Sequence, residues 1–304
     1  MIQILFWVGV ITVSASFILA IVRPDLGTDL NPPYNGAWRG IFWHKNHLGN
    51  LVPIFSLIFL LQIFQYPFRS FRFAKITAFI FYLLSLILMY QAKSVAGYIL
   101  LLLLHFVFFI SVIWIKIHSH LKPYHYWAAL IVFLVGVVIA TSNLDFIFGL
   151  FNRKTTLTGR IPLWQYLIVE VYLKKPFFGY GFGSLWTMES FRISTQEFVG
   201  WGYQVMIGDN GFLDMLLSGG IVGLMLFLFV YVQAWFHSIR YSITQCTMVG
   251  MFPLIFMVYT SFVNISFSMF LETESLIWML CVYLLYLNTT TAGNESSRLV
   301  TMQL

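Results

Sequence analysis

Three stretches of this chain bring cations, aromatic rings and carboxylates together in patterns that suit a phosphorylated, sugar-bearing ligand. The first is Trp38-Arg39-Gly40-Ile41-Phe42-Trp43-His44-Lys45-Asn46-His47-Leu48-Gly49. Guanidinium forks fit phosphate oxygens in pairs, and Arg39, His44 and Lys45 stand together immediately before an apolar run. Flat rings such as Trp38 and Trp43 can cover sugar faces. The alternative is headgroup anchoring, in which the same cations sit among interfacial tryptophans. His44 and His47 are spaced as half of a metal site, but no carboxylate or thiol follows nearby to complete it.

The second stretch is Thr158-Gly159-Arg160-Ile161-Pro162-Leu163-Trp164, followed by Pro176-Phe177-Phe178-Gly179-Tyr180-Gly181-Phe182-Gly183. Pro162 suits the first turn of a helix. The pattern predicts a helix running to about Leu173, lying in the membrane interface, with Trp164, Leu167, Ile168, Val171 and Tyr172 on one stripe. A cation at a helix N-terminus opposes the macrodipole, so Arg160 makes most sense with an anion on the site. Trp164, four residues on, shares its face. Lys174 and Lys175 complement the dipole at the far end. The run Gly179, Gly181, Gly183 reads either as a flexible turn or as a phosphate cradle. The third stretch is Gly208-Asp209-Asn210-Gly211-Phe212-Leu213-Asp214, opening an apolar run. Asp209 or Asn210 can cap that helix, Asp214 falls in its acid-tolerant first turn, and Gly219 and Gly223 form a small-xxx-small pair for close helix approach.

The elements that must position these residues are membrane spans. Hydrophobic residues make up 60% of the 304-residue chain and charged residues 9%, against roughly a quarter charged in a soluble domain. Nearly charge-free runs occur at 2–22, 48–66, 76–92, 95–115, 126–148, 211–236, 247–267 and 275–287. A hydrocarbon core about 30 Å thick needs about 20 helical residues, which predicts about eight spans in an all-α, polytopic transmembrane helical bundle. The run at 76–92 is slightly short and is extended by Phe71 and Phe73. The first run lacks the basic start and the small-residue cleavage site of a signal peptide and reads as a permanent span. Cys246 and Cys281 form no CxxC and no disulfide framework.

The net charge of +6 belongs to loops that orient the protein and sit on anionic lipid, not to nucleic-acid binding. Short loops carrying Arg69, Arg72, Lys75, Lys116, Lys122 and Arg240, with Arg298 in the tail, place one side in the cytoplasm. Both termini then lie inside, and the chain is one integral membrane domain, 1–304, with external loops at 23–47 and 149–210. Connections that long are seldom kept without a use.

Taken in order, the three stretches resemble the O-antigen ligase and polymerase superfamily of bacterial membranes. Residues 38–49 look like its WRGIFxHKNxLG segment. Gly159-Arg160-x-x-x-Trp164 with the Gly179, Gly181, Gly183 turn looks like its GRxxxW … GxGxG segment. Asn210, nine residues, then Gly220-x-x-Gly223 looks like its HN-x9-GxxG segment. The resemblance covers roughly residues 23–287. Two departures stand out. Asp209 occupies the place of the family's His, and one clear span precedes residue 38 where the family has several, as expected of a truncated product, a fragment or a reduced member.

The resemblance implies transfer of a glycan from a polyprenyl-diphosphate carrier to an acceptor hydroxyl at the outer face of the bacterial inner membrane. Arg39, Lys45 and Arg160 would neutralise the departing diphosphate, and Asp209 would take the acceptor proton. His44, Asn46, Trp164, Asn210 and Gly181 would bind substrate. The expected partners are the lipid-linked donor, a glycan or lipid-linked acceptor and membrane lipid, with no cofactor and no required metal. The alternative is a transporter or flippase of a lipid-linked or small anionic substrate. That class shows mid-membrane ionisable residues and paired broken helices. His105 is the one clear ionisable residue at mid-depth, and no internal repeat is evident.

Overall fold

The computed structural model describes residues 1–30, 36–64, 72–117, 160–200, 204–270, 272 and 275–284. The run at 126–148, Thr158, Gly159, Arg69, Lys122 and the tail with Arg298 lie outside the described residues. Within them the regular structure is helical apart from one short two-stranded ladder. Five helices are long and apolar enough to cross a membrane, as a multi-pass all-α membrane protein requires. The chain forms two compact units, Met1–Lys116 with Ser238–Tyr259 and Ile117–His237 with Thr260–Leu304.

In the first unit, α1 (Ile2–Val22) leads through a single turn, α2 (Pro24–Gly27), into the antiparallel pair β1 (Thr28–Asp29) and β2 (Ala37–Trp38). Then come α3 (Lys45–Phe64), α4 (Arg72–Ala92) and α5 (Val95–Ile117). α3 is the buried member: Leu48, Val52, Leu57, Phe59 and Leu61 are fully enclosed. Gly9 on α1 permits this packing, because a Cβ there would come within 3.0 Å of the Phe55 ring and 3.1 Å of the Phe59 ring. His105 is satisfied locally. Its Nδ1 lies 2.7 Å from the Leu101 carbonyl and its Nε2 3.1 Å from the Tyr82 hydroxyl, so it ties α5 to α4.

In the second unit, α6 (Arg160–Tyr166) widens into a π turn at Leu167–Val171 and tightens to a 3-10 turn at Tyr172–Lys174. The predicted helix is present, but its buried stripe is Leu163, Leu167 and Val171, and Ile168 points outward. Those three residues, spaced i, i+4, share one face of the helix. α7 (Ser184–Thr187) and α8 (Glu189–Val199) follow. They pack through Leu185, the stacked Tyr166–Phe198 pair and the edge-on Trp186–Phe191 pair.

α9 (Gly211–Gln245) is longer than the run at 211–236 and is broken at Gly220, whose φ of 62° and ψ of −167° lie outside any helix. The break is filled by the glycine turn. Tyr180 and Gly181 donate their N–H groups to the Leu217 and Ser218 carbonyls at 2.9 Å each, and Ile221 and Val222 donate to the Pro176 and Phe177 carbonyls at 2.8 and 3.2 Å. Four backbone groups that a broken helix would leave bare are thereby satisfied. The close approach is therefore at Gly220 and not at Gly219 and Gly223, where an added Cβ would meet nothing within 4 Å. At Gly220 a Cβ would lie 2.2 Å from the Phe177 carbonyl oxygen, in backbone space that is essentially glycine-only. Gly220→Ala is expected to destabilise the protein by on the order of 3 kcal/mol, combining backbone strain and the clash. Thermal unfolding in detergent reads the effect, and an unchanged midpoint would refute it.

The run at 247–267 yields only α10, Phe252–Ser266, 15 residues long. Its start is delayed by a turn in which Cys246 takes a positive φ and Ser242 donates to the Gly250 carbonyl. α10 ends where Asn264 Oδ1 accepts the N–H groups of Met269 and Phe270, 2.9 Å each. The run at 275–287 is helical over the described residues 276–284, α11.

Candidate active site

The end of the loop before α9 is held from every side. Asn210 caps the helix, its Oδ1 accepting from the Phe212 and Leu213 N–H groups at 3.1 Å each. Its own N–H goes to Ser268 Oγ at 3.0 Å. The Gly208 carbonyl accepts the indole N–H of Trp164 at 2.8 Å. Between these anchored peptides Asp209 adopts φ +52°, a left-handed conformation that aspartate and asparagine tolerate better than most residues. The cap is Asn210, so Asp209 is not needed for that task. Its side chain is free to turn to Arg160, whose Nε lies 3.0 Å from Asp209 Oδ2.

This ion pair joins two of the residues read from the sequence as chemical. Both side chains retain partial exposure, 15% for Arg160 and 20% for Asp209, so a ligand can reach them. The bond uses Nε. Among the described residues the two Nη groups make no hydrogen bond, which leaves the guanidinium edge that matches two phosphate oxygens. Trp164 stands on the same helix and is tied to the adjacent peptide, so Arg160, Trp164, Asp209 and Asn210 form one cluster. Gly181 does not present its N–H to a ligand, because Ser218 accepts it.

Asp214 is the residue whose importance sequence reasoning missed. It is not a solvated first-turn acid but a buried hub. Its carboxylate accepts the Gly208 N–H at 3.2 Å on Oδ1 and 3.0 Å on Oδ2, the Trp186 indole N–H at 2.9 Å, and the Ser268 hydroxyl. Gly208 has to be small, since a Cβ there would come within 2.8 Å of Asp214 Oδ1. The hub thus fixes the peptide immediately before Asp209. Removing a buried acceptor strands its donors. Asp214→Ala is expected to cost on the order of 3 kcal/mol, and Asp214→Asn, which keeps one carbonyl oxygen for Trp186 and Gly208, markedly less. Unfolding midpoints of the two variants test this; an Ala variant as stable as the parent would remove Asp214 from its role.

Arg39, His44, Lys45 and Asn46 belong to the other unit. Arg39 donates Nε to the Leu26 carbonyl at 3.0 Å and Nη1 to the Trp43 carbonyl at 3.1 Å. Lys45 is buried, with Nζ on the Lys93 carbonyl at 2.8 Å and its N–H on Asp29 Oδ2 at 3.1 Å. Asn46 Oδ1 accepts from Ser94, and the Asn46 N–H lies 3.2 Å from His44 Nδ1. These bonds shape the start of α3.

The O-antigen ligase family matches residues 77–228, which is half of the chain and includes Arg160, Trp164, Asp209, Asn210 and Asp214. One curated relative is the exopolysaccharide production protein ExoQ of Rhizobium meliloti (strain 1021), 29% identical over 113 residues, a match covering 36% of this chain and 25% of that protein's length. No solved structure matches the chain. With five apolar helices of spanning length and an ordered Arg160–Asp209 cluster inside the matched segment, the chain belongs to the O-antigen ligase family.

Proposed function

We propose that the protein transfers a glycan from a polyprenyl-diphosphate carrier to an acceptor hydroxyl at the outer face of the bacterial plasma membrane. The observation that carries this reading is the Arg160–Asp209 pair, 3.0 Å apart and accessible, with the Nη edge of the guanidinium unspent. The acceptor oxygen attacks the anomeric carbon of the donor sugar. The bond from that carbon to the diphosphate oxygen breaks, and the diphosphate leaves with the electron pair. Asp209 accepts the acceptor's proton. Arg160 holds Asp209 through Nε and meets the growing phosphate charge through its two Nη groups, which needs no rearrangement during the step. The isoprenoid tail runs along apolar helix faces.

The similarity to an exopolysaccharide production protein favours a growing glycan as the acceptor, and hence polymerisation. The test is purified protein in proteoliposomes with a polyprenyl-diphosphate oligosaccharide. A ladder of longer carrier-linked glycans is expected. Movement of intact donor across the bilayer with no new glycosidic bond would replace this reading with the transporter one.

A further inference from the structure

We propose that the loop Pro176-Phe177-Phe178-Gly179-Tyr180-Gly181-Phe182 is a membrane-interface anchor, inserted among phospholipid headgroups and upper acyl chains, and that α9 meets lipid at Gly220 rather than at Gly211. Exposure along α9 changes at the break. From residue 211 to 219 every side chain is buried or half-buried. From Val222 a continuous apolar stripe opens outward: Val222, Met225, Leu226, Phe229, Val232 and Phe236. A helix apolar on its outward side has lipid against it.

The loop is continuous with that stripe. Its backbone is bonded to Leu217, Ser218, Ile221 and Val222, so it sits at the level where the stripe begins. It presents Phe177, Phe178 and Phe182, 65%, 77% and 60% exposed. Bared to water, these three phenylalanines would forgo the burial that large apolar side chains favour. Exposed Lys174 and Lys175 precede them, with Lys175 Nζ 4.9 Å from the Tyr180 ring centroid. Aromatic side chains flanked by lysines, whose ammonium groups reach lipid phosphates, are the composition of an interfacial segment. A soluble partner protein would explain the phenylalanines but not their continuity with the lipid-facing stripe.

The anchor sets the height of the site, a consequence that rests on reading Arg160 and Asp209 as that site. Interfacial segments bury their apolar side roughly 5–10 Å below the headgroup boundary. From Gly220 back to Gly211 the helix climbs about 13 Å at 1.5 Å per residue. For a helix near the membrane normal, Asp209 then stands about 3–8 Å above the boundary, within a headgroup layer roughly 5–8 Å thick. That is the depth of a lipid-borne diphosphate.

Fluorophore depth measurements test the anchor without any enzymatic readout, so they stand or fall separately from the proposed reaction. In a Cys246→Ser, Cys281→Ala background, an environment-sensitive dye is placed on Phe178→Cys, on Phe182→Cys and, as the aqueous reference, on Ser194→Cys of α8. The labelled proteins are reconstituted in phosphatidylglycerol-containing vesicles carrying 5-doxyl or 12-doxyl lipid. The loop dyes should be quenched at least twofold more by 5-doxyl than by 12-doxyl lipid and be shielded from aqueous iodide relative to position 194. Iodide quenching at 178 and 182 equal to that at 194 would overturn the anchor. So would stronger quenching by 12-doxyl lipid, which would put the loop in the hydrocarbon core.

Discussion

Arg160→Lys is expected to slow glycan transfer roughly 30- to 1,000-fold, the equivalent of about 2–4 kcal/mol of lost transition-state stabilisation. The substitution keeps the positive charge, so a purely electrostatic role would be largely preserved. What it removes is geometry. Arg160 spends Nε on Asp209 at 3.0 Å, and its two Nη groups, without a hydrogen bond among the described residues, form the two-pronged edge that the proposed diphosphate would take. A lysine ammonium is one compact point charge and cannot hold the carboxylate in place while forking onto two oxygens. The loss should fall in kcat more than in KM, because the second set of bonds strengthens as charge builds on the leaving diphosphate. Initial rates of polymer formation over a range of donor concentrations separate the two. A lysine variant within threefold of the parent would show that Arg160 is a structural partner of Asp209 and nothing more.

Much of the fold is legible in the sequence because the bilayer imposes one simple rule, about 20 apolar residues per crossing. α1, α3, α4 and α5 match their runs to within a few residues at either end. The rule fails where two structures share one apolar run. Residues 211–236 read as a single span, yet Gly220 divides them. Nothing in the stretch Gly219-Gly220-Ile221-Val222-Gly223 distinguishes a break from a helix-packing motif. The distinction comes from the turn 176–181, about forty residues earlier in the chain, which supplies the four backbone partners. Shortened α10 has a similar cause, since the turn at Cys246 and Gly250 consumes residues that hydropathy alone assigns to the helix.

The candidate site is legible in the sequence as parts and not as an assembly. Arg160, Trp164, Asp209 and Asn210 carried visible signals, namely an anti-dipole cation, an aromatic on the same face and a polar helix start. Their pairing spans 49 residues, and no local pattern encodes it. Asp214 was hidden by its position, because an acid in a first helical turn already has an ordinary explanation. Its partners, Trp186 and Ser268, lie 28 and 54 residues away. The one local hint was Gly208, six residues before Asp214, small enough to let that carboxylate close on its N–H. Lys45 shows the opposite case. Its residue type and place suggested a phosphate ligand, while burial turns its ammonium to the Lys93 carbonyl.

For Asp209 the informative substitution is Asn. Helix capping no longer competes as an explanation, since Asn210 performs it. The remaining rival is that Asp209 serves only to orient Arg160. Asparagine separates the two readings because it preserves nearly everything except the ability to take a proton. It tolerates the left-handed backbone found at φ +52°, and its side-chain oxygen can still accept the Arg160 Nε–H bond. An orienting role therefore predicts that Asp209→Asn keeps most of the activity. A proton-accepting role predicts a loss of roughly a hundredfold or more, in line with general-base contributions, with expression and unfolding midpoint unchanged. Asp209→His should retain measurable transfer, because an imidazole can accept the proton from the same place. It should do so only as pH rises through the histidine range, since the protonated ring has no free acceptor. A pH–rate profile of the His variant that falls at low pH, beside an Asn variant that stays inactive at every pH, would assign the proton transfer to this position. Full activity in Asp209→Asn would end the assignment and leave Asp209 as the carboxylate that aims Arg160.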